Sequence, residues 1–315
     1  MKITLLLATI LVSTLCSGFS SQLASFVSMI EGAQQRICDE IECEETSVFG
    51  DDVWESDRSH GRTRVLSGGD LIEKGSVSIS IINNAPLQPE RAAKISARQQ
   101  IDIAPNSRYS AAALSLVLHS RSPLVPTFRS DVRIFSVGDN DFFGGGADIT
   151  PSYLFEDDVK AFHKCYKSLC TEAKLPYEHM KESCDNYFFI PSRNEHRGVG
   201  GIFFDDLEGP GALPFVTNLA NLWMASWLPM AVKRGSCTYT KEQREWQLLR
   251  RGRYLEFNLL YDRGVAFGLA SPTPRVEGIM CSAPPLCAFE YKKKIREGSR
   301  EEEMQKVLVS PRDWI

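Results

Sequence analysis

From Ser76 to Ile82 the chain alternates strictly, with Val77, Ile79 and Ile81 on one side and Ser76, Ser78 and Ser80 on the other. A period of two marks a strand with one buried face. Thr127 to Phe135 alternates in the same way, and Ala111 to His119 reads as a third strand. Elsewhere the period lengthens to that of a helix. Phe26, Ile30 and Ile37 predict an amphipathic first helix. Val159, Phe162, Tyr166 and Leu169 predict another over 155–171, with Glu156, Asp157 and Asp158 where a helix dipole favours acids. Helical patterns also cover 212–234 and 241–250, while Tyr254 to Leu260 and Val276 to Cys281 read as strands. Residues 44–75 are acidic and rich in Gly and Ser, so they read as loop, with a short strand at Thr63–Leu66. Strands cluster between helices, turns are short, and no repeat or long linker is found. The expected fold class is α+β: one domain with a mainly antiparallel sheet covered by helices.

Composition narrows the function classes. The chain has 315 residues, of which 43% are hydrophobic, enough for a large core. A net charge of −4 excludes the strong basic excess of a nucleic-acid surface. Nine cysteines include no CxxC pair, so free thiols fit better than a metal or disulfide framework. None of the five histidines forms an HExxH pair, and no metal site is expected. The glycines fit neither a P-loop nor a dinucleotide fingerprint. Residues 1–18 differ from the rest: Lys2 is their only charge, and Ile3 to Cys16 is apolar before small residues. That is the layout of a leader for the secretory route, too short for a comfortable membrane span. Phe19 after it resembles the junction of plastid-targeting leaders in algae with complex plastids. The mature chain, 19–315, is expected to be one unit without a membrane segment.

Candidate chemistry centres on Asp141-Phe-Phe-Gly-Gly-Gly-Ala-Asp-Ile-Thr-Pro151. Three glycines in a row sit poorly in a helix or packed strand, and are kept where backbone must bend sharply or lie flat against something. Asp148 would thereby stand as a lone carboxylate on a platform at a helix entrance, or act only as a cap. The strand over 127–135 places Thr127, Arg129, Asp131 and Arg133 on one face, either an anion-recognition strip or a solvated edge. Arg250-Arg-Gly-Arg-Tyr-Leu-Glu-Phe-Asn-Leu-Leu-Tyr-Asp-Arg263, then Pro272-Thr-Pro-Arg275, sets arginines beside aromatics. These suit either carboxylate recognition or an ordinary ion-pair network. Asp185 to Leu207 joins an aromatic strand, a charged turn, a glycine-rich bend and the pair Asp205-Asp206.

Together these segments resemble oxygen-dependent coproporphyrinogen III oxidase. The matching pieces are Phe143-Gly-Gly-Gly-Ala-Asp-Ile-Thr-Pro151, Asn186-Tyr-Phe-Phe189, Arg197-Gly-Val-Gly-Gly-Ile-Phe-Phe-Asp-Asp206, Arg250 to Gly264 and Pro311-Arg-Asp-Trp-Ile315. They occur in the family's order from about residue 25 to the end. The resemblance implies a large antiparallel sheet sandwiched between helices, and a homodimer involving Arg250–Gly264 and the residues after it. It also implies oxidative decarboxylation of two propionates of coproporphyrinogen III, with molecular oxygen as oxidant and no metal or organic cofactor. Asp148 would accept the pyrrole N–H bonds at the macrocycle centre. Arg133 and Arg275 would hold propionates, with Ser115, Asp131, Thr273 and Pro274 also at the substrate. His119 and His163 match histidines near the family site, or are hydrogen-bonded structural residues.

The chain departs from the pattern in one place that bears on chemistry. The family's strand reads Ser-x-Val-x-His-Pro-x-Asn-Pro-x-x-Pro-Thr-x-His-x-Asn-x-Arg. Ser115, Val117, His119, Pro123, Pro126, Thr127 and Arg133 hold, but the second histidine, the family's assigned proton donor, is Arg129, and the asparagine after it is Asp131. Arginine stays protonated near neutral pH, so it cannot take that role. Losing a general acid–base group costs on the order of 10²–10⁴ in rate. The paired change leaves the local net charge the same, with Asp131 expected between Arg129 and Arg133. The chain is therefore expected to be an enzyme of reduced rate, or a tetrapyrrole-binding paralogue.

Overall fold

The computed structural model describes residues 20–99, 102–104, 106–270 and 274–315. The expected leader over 1–18 and the site residue Thr273 lie outside the described residues.

The described residues build one antiparallel seven-stranded sheet with helices on both faces. The strands are β1 (Gly50–Glu55), β2 (Ser59–Ser67), β3 (Ile72–Pro86), β4 (Arg108–Ser120), β5 (Thr127–Val137), β6 (Asn140–Thr150) and β9 (Gly201–Leu207), in the spatial order β1-β2-β3-β4-β5-β6-β9. The short β7 (Phe189–Ile190) and β8 (Glu195–His196) pair as a separate hairpin. On one face lie α1 (Ser21–Glu42), α3 (Glu156–Glu172) and α5 (Ala212–Gly235). They meet Val77, Ile79, Leu114, Leu116, Phe128 and Val132 in the main core. α5 encloses Trp223 and Trp227 fully, while a stripe through Pro214, Asn218, Asn221, Ala225 and Pro229 faces solvent. The alternation read in β3 holds: Val77, Ile79 and Ile81 are buried against these helices.

The other face carries α4 (Tyr177–Tyr187), α6 (Lys241–Leu260), α7 (Arg263–Leu269) and α8 (Val276–Met280). The chain closes through α9 (Arg300–Val309), and α2 (Pro89–Gln99) lies between β3 and β4. A smaller cluster of Cys184, Phe188, Ile190, Phe203 and Phe257 joins α4 and α6 to this face.

Four expectations need correction. Residues 44–75 are more than loop with one short strand: the strand expected at Thr63–Leu66 lies inside the longer β2, and β1 and the start of β3 flank it. These outer strands escape a hydrophobic pattern because β1 is almost wholly exposed, and its register is set by charge, with Arg62 on Asp51 at 2.5 Å. Tyr254 to Leu260 is the last part of helix α6, whose start is fixed by a capping box of Thr240 and Gln243. Val276 to Met280 is the short helix α8, with no buried residue to give it a period. The glycine run makes no bend. Gly144, Gly145 and Gly146 lie inside β6, flat against their neighbours. A Cβ on Gly145 would stand 2.5 Å from the Asp131 carbonyl oxygen, and one on Gly146 2.5 Å from that of Ile202. The entropic cost of glycine is accepted here because no side chain fits between β5 and β9.

Gly145→Ala is expected to lower stability by about 1–3 kcal/mol, the usual cost of overpacking. Gly32→Ala is the contrast, since nothing lies within 4 Å of its Cβ position in the helix α1. It is expected to raise stability by about 0.5–1 kcal/mol. Urea unfolding of both variants, with unchanged slopes, checks the pair.

Candidate active site

Antiparallel register lines residues up in rows across the sheet. One row on the face away from the main core runs Ser76, Val117, Arg129, Asp148 and Gly201. The next runs Thr63, Ser78, Ser115, Asp131 and Gly146, and the third Gly61, Ser80, Ala113, Arg133 and Gly144. β5 thus supplies an Arg-Asp-Arg strip, flanked by small residues on β3 and β4 and by glycines on β6. The glycines make room for the strip: a Cβ on Gly144 would lie 2.7 Å from Nε of Arg133.

Above these rows is a cavity of about 940 Å³. Its floor includes Ser78, Ser115, Arg129, Asp131 and Arg133, and its roof includes Tyr254, Asp262, Arg263, Pro274 and Arg275. Toward the other end the walls become apolar, with Trp54, Ile82, Ile95 and Phe142. One cavity therefore has a charged end and an apolar end.

At the charged end, opposite charges alternate. Asp131 contacts Arg129 at 2.7 Å and Arg133 on its other side, as the spacing predicted. The contact with Arg129 is an ion pair without hydrogen-bond alignment, so Asp131 Oδ1 accepts no hydrogen bond from it. Arg133 reaches on to Asp205 at 2.5 Å, and Asp205 accepts from Arg263 at 2.8 Å. Burial alone pulls the Arg129 guanidinium down, but the carboxylates of Asp131, Asp262 and Asp148 outweigh it and hold it above its ordinary value. Arg129 is a fixed cation here, and no proton leaves it at working pH.

Asp148 is not the lone carboxylate expected from its sequence context. It is 2% exposed, does not line the cavity, and accepts from Arg197 at 2.7 Å. Arg197 is sandwiched by Phe188 at 3.9 Å, Tyr254 at 4.5 Å and Phe257 at 4.9 Å from its guanidinium carbon. Asp148 Oδ1 keeps its lone pairs, with no donor among the described residues. The sheet carboxylates that do line the cavity are Asp131 on β5 and Asp205 and Asp206 on β9. Residue spacing gave no sign of Arg197 as the partner, because 49 positions of intervening α3 and α4 carry no period.

Both candidate histidines are locked as neutral structural groups. His119 Nε2 lies 3.0 Å from the Ser282 carbonyl, which can only accept, so Nε2 holds the proton and Nδ1 accepts from Thr127 at 3.3 Å. His163 is held in the same way by the Val199 carbonyl and the Tyr177 hydroxyl. Burial depresses His119 to about 3 and His163 to about 4. Neither lines the cavity. His119 instead ties the turn after α8 to the sheet, helped by Lys74, which donates to the Ala283 carbonyl at 2.9 Å.

The arginine-rich segment divides. Arg250, Arg251 and Arg253 face away from the cavity and form ion pairs with Glu195, Glu73 and Glu256. Arg263 and Arg275 do line it, Arg275 lying over Trp54 at 4.5 Å and bonded to Asp52 at 2.5 Å. Asp205 stands out in the sequence only as half of an acidic pair, and Arg263 and Asp262 only as parts of a quoted motif.

A sheet-floored cavity with alternating arginines and carboxylates at one end and aromatics at the other suits a large anionic small molecule, and defines the chain as a small-molecule enzyme. Similarity to known proteins supplies the family. The family model "Coproporphyrinogen III oxidase" matches residues 25–314. A coproporphyrinogen-III oxidase 1, chloroplastic, of Arabidopsis thaliana is 40% identical over 316 residues, 95% of this chain and 81% of that one. An oxygen-dependent coproporphyrinogen-III oxidase of Francisella tularensis subsp. holarctica (strain OSU18) is 38% identical over 312 residues, 93% of this chain and 99% of that one. One from Drosophila melanogaster is 40% identical over 300 residues, 91% of this chain and 77% of that one. The chain belongs to the coproporphyrinogen III oxidase family.

The buried histidines set an acid limit. Folding lowers the His119 pKa from 6.5 to about 3, so the unfolded chain binds that proton more tightly. Stability from this group is full above pH 6.5 and declines as pH falls toward 3. About 2–3 kcal/mol is expected to go between about pH 6.5 and 4.5. His119→Gln cannot take up the proton, and is expected to flatten that slope in urea titrations across the window.

Proposed function

We infer that this chain carries out the oxygen-dependent oxidative decarboxylation of coproporphyrinogen III to protoporphyrinogen IX, in haem and chlorophyll biosynthesis. The observation that carries the reading is the Arg129–Asp131–Arg133 strip on the floor of a cavity of about 940 Å³. A tetrapyrrole with four carboxylates and four pyrrole N–H donors needs both signs of charge in one place. Arg133 and Arg275 are the propionate-holding groups, beside Ser115 and Pro274 on the cavity wall; Thr273 is proposed with them from the sequence motif alone. For the pyrrole N–H groups we propose Asp131, which stands on the cavity floor, while Asp148, buried behind Arg129 and bonded to Arg197, acts only through the negative charge it adds there.

For each propionate, the side chain loses carbon dioxide and a hydrogen with its electron pair, leaving a vinyl group. Dioxygen takes up the pair, that hydrogen as a proton and one further proton, and leaves as hydrogen peroxide. We propose that oxygen acts without metal or organic cofactor, as the resemblance implies. Carboxylates facing the macrocycle make it more electron-rich toward oxygen. In this chain the further proton is proposed to come from water in the cavity, since residue 129 is a fixed guanidinium. The replacement of a neutral His/Asn pair by an ion pair keeps the floor's charge and changes the rate, not the substrate.

We further propose a homodimer formed through the end of α6 with α7 and α8. Leu259, Leu260, Leu269 and Val276 are exposed there together, and apolar side chains so placed favour a partner surface. The plastid of an alga with complex plastids is the proposed destination, reached through the leader at 1–18; the chloroplastic Arabidopsis relative supports the plastid. No helix among the described residues is long and apolar enough to cross a membrane.

Purified 19–315 supplied with coproporphyrinogen III in air is expected to yield product, read as porphyrin fluorescence after oxidation. Arg133→Ala is expected to raise KM more than about tenfold, the loss of a charge-assisted hydrogen bond. Arg129→His is expected to raise kcat by one to two orders of magnitude, within the usual reach of a general acid. No product from the native chain or from Arg129→His, with binding intact, would sink the catalytic reading. Light scattering tests the dimer: purified 19–315 is expected at twice its monomer mass, and its Leu260→Glu variant at the monomer mass.

A further inference from the structure

A second cavity, of about 800 Å³, opens on a different face of α6 from the substrate cavity. Arg250 forms part of its wall and is 4% exposed. Only its Nη1 is engaged, with Glu195 at 2.8 Å and Gln305 at 3.4 Å. Its Nε and Nη2 have no partner among the described residues. The other oxygen of Glu195 accepts from Gln305. Nε and Nη2 are closed to solvent, so a ligand in the cavity would meet Arg250 through its charge and not through these nitrogens.

The surroundings carry the same sign. Arg193, Arg253, Lys292 and Lys293 join Arg250 around the cavity, against the carboxylates of Glu195 and Glu290. Arg193 and Arg253 share the single carboxylate of Glu256, at 2.6 and 2.9 Å, which leaves one positive charge over. Lys293 pairs with Glu290 at 2.8 Å. Lys292 has no ion pair among the described residues, and its ammonium lies over the Tyr291 ring at 5.4 Å. Its backbone sits in the left-handed region at φ 49°, where a lysine is rarely placed. Trp246, Phe289 and Tyr291 add flat apolar wall, with Phe289 61% and Tyr291 87% exposed.

We propose that this cavity is a binding site for an oxyanion, a phosphate or a carboxylate carried on an apolar body. Arg250 supplies its buried charge and Lys292 and Lys293 are its outer contacts. The nearby Glu195 carboxylate is already matched by Arg250 and Gln305, so it does not cancel the excess. The site is separate from the catalytic cavity and its existence does not depend on the reaction assigned there.

Titration calorimetry on the full mature chain tests this with two probes, inorganic pyrophosphate and citrate. Saturable binding of either is expected, weakening as salt rises. Pyrophosphate alone would assign the site to phosphates, and citrate alone to carboxylates. The Lys292→Ala/Lys293→Ala double variant, changed only at exposed positions, is expected to weaken binding at least about tenfold, the loss of two charged contacts. Arg250→Gln, checked for folding by circular dichroism, is expected to abolish it. Arg133→Ala, on the floor of the other cavity, is expected to leave it unchanged. No saturable binding of either probe overturns the proposal. So does binding that Arg133→Ala removes and the lysine variant keeps.

Discussion

The Asp148–Arg197 ion pair is the contact on which the working face of this molecule depends. Both side chains are almost wholly buried, at 2% and 1% exposure. Two charges removed from water this fully hold only when each compensates the other, and removing one partner from such a pair typically costs about 3–5 kcal/mol. The pair joins β6 to the turn that leads into β9, while the rings of Phe188, Tyr254 and Phe257 wrap the guanidinium. One contact therefore fixes the last two strands of the sheet, the α4 terminus and the inner face of α6. The Tyr254 side of the cavity roof is carried by those elements, while the α8 side is tied to β1, β3 and β4.

Charge, more than hydrophobic contact, shapes the cavity end of the sheet. From Arg129 through Asp131, Arg133 and Asp205 to Arg263 the signs alternate without a break. Each carboxylate there is answered on both sides. A polyanion entering this end has to compete with existing partners for every guanidinium. This favours ligands that bring several carboxylates at once over those that bring one, which is the kind of selectivity a tetrapyrrole acid would meet.

Much of this was legible in the sequence, for identifiable reasons. Period-two alternation exposed β3 and β5 because one face of each meets a helix layer. The placement of Arg129, Asp131 and Arg133 on a shared face followed from the same rule, and the contacts among them are as the spacing implied. The family motifs carried the class of enzyme. What stayed hidden was whatever depends on distant partners. β1 and β2 are written in cross-strand charge pairs, not in apolar periodicity. The aromatic run of Tyr254 to Leu260 looks like a strand until the cap at Thr240 is known to launch a helix that reaches it. Asp148 read as free because its partner arrives from 49 residues downstream. The glycine triplet read as either a bend or a flat close approach, and the choice between them stayed open because its cause, a neighbouring strand and a guanidinium pressed against it, is not local.

The rows across the sheet also limit how this chain can vary over evolutionary time. Substitutions at Ser76, Ser78 or Ala113 change one small floor residue each. A one-residue insertion or deletion inside β5 is different, because side chains alternate faces along a strand. It would turn Arg129, Asp131 and Arg133 together into the layer now filled by Phe128, Val132 and Ile134, and bring those three apolar side chains up onto the floor. A length change is therefore far costlier in β5 than in a loop, and replacement is the gentler way for β5 to vary. The exchange of histidine and asparagine for Arg129 and Asp131 is a change of that gentler kind.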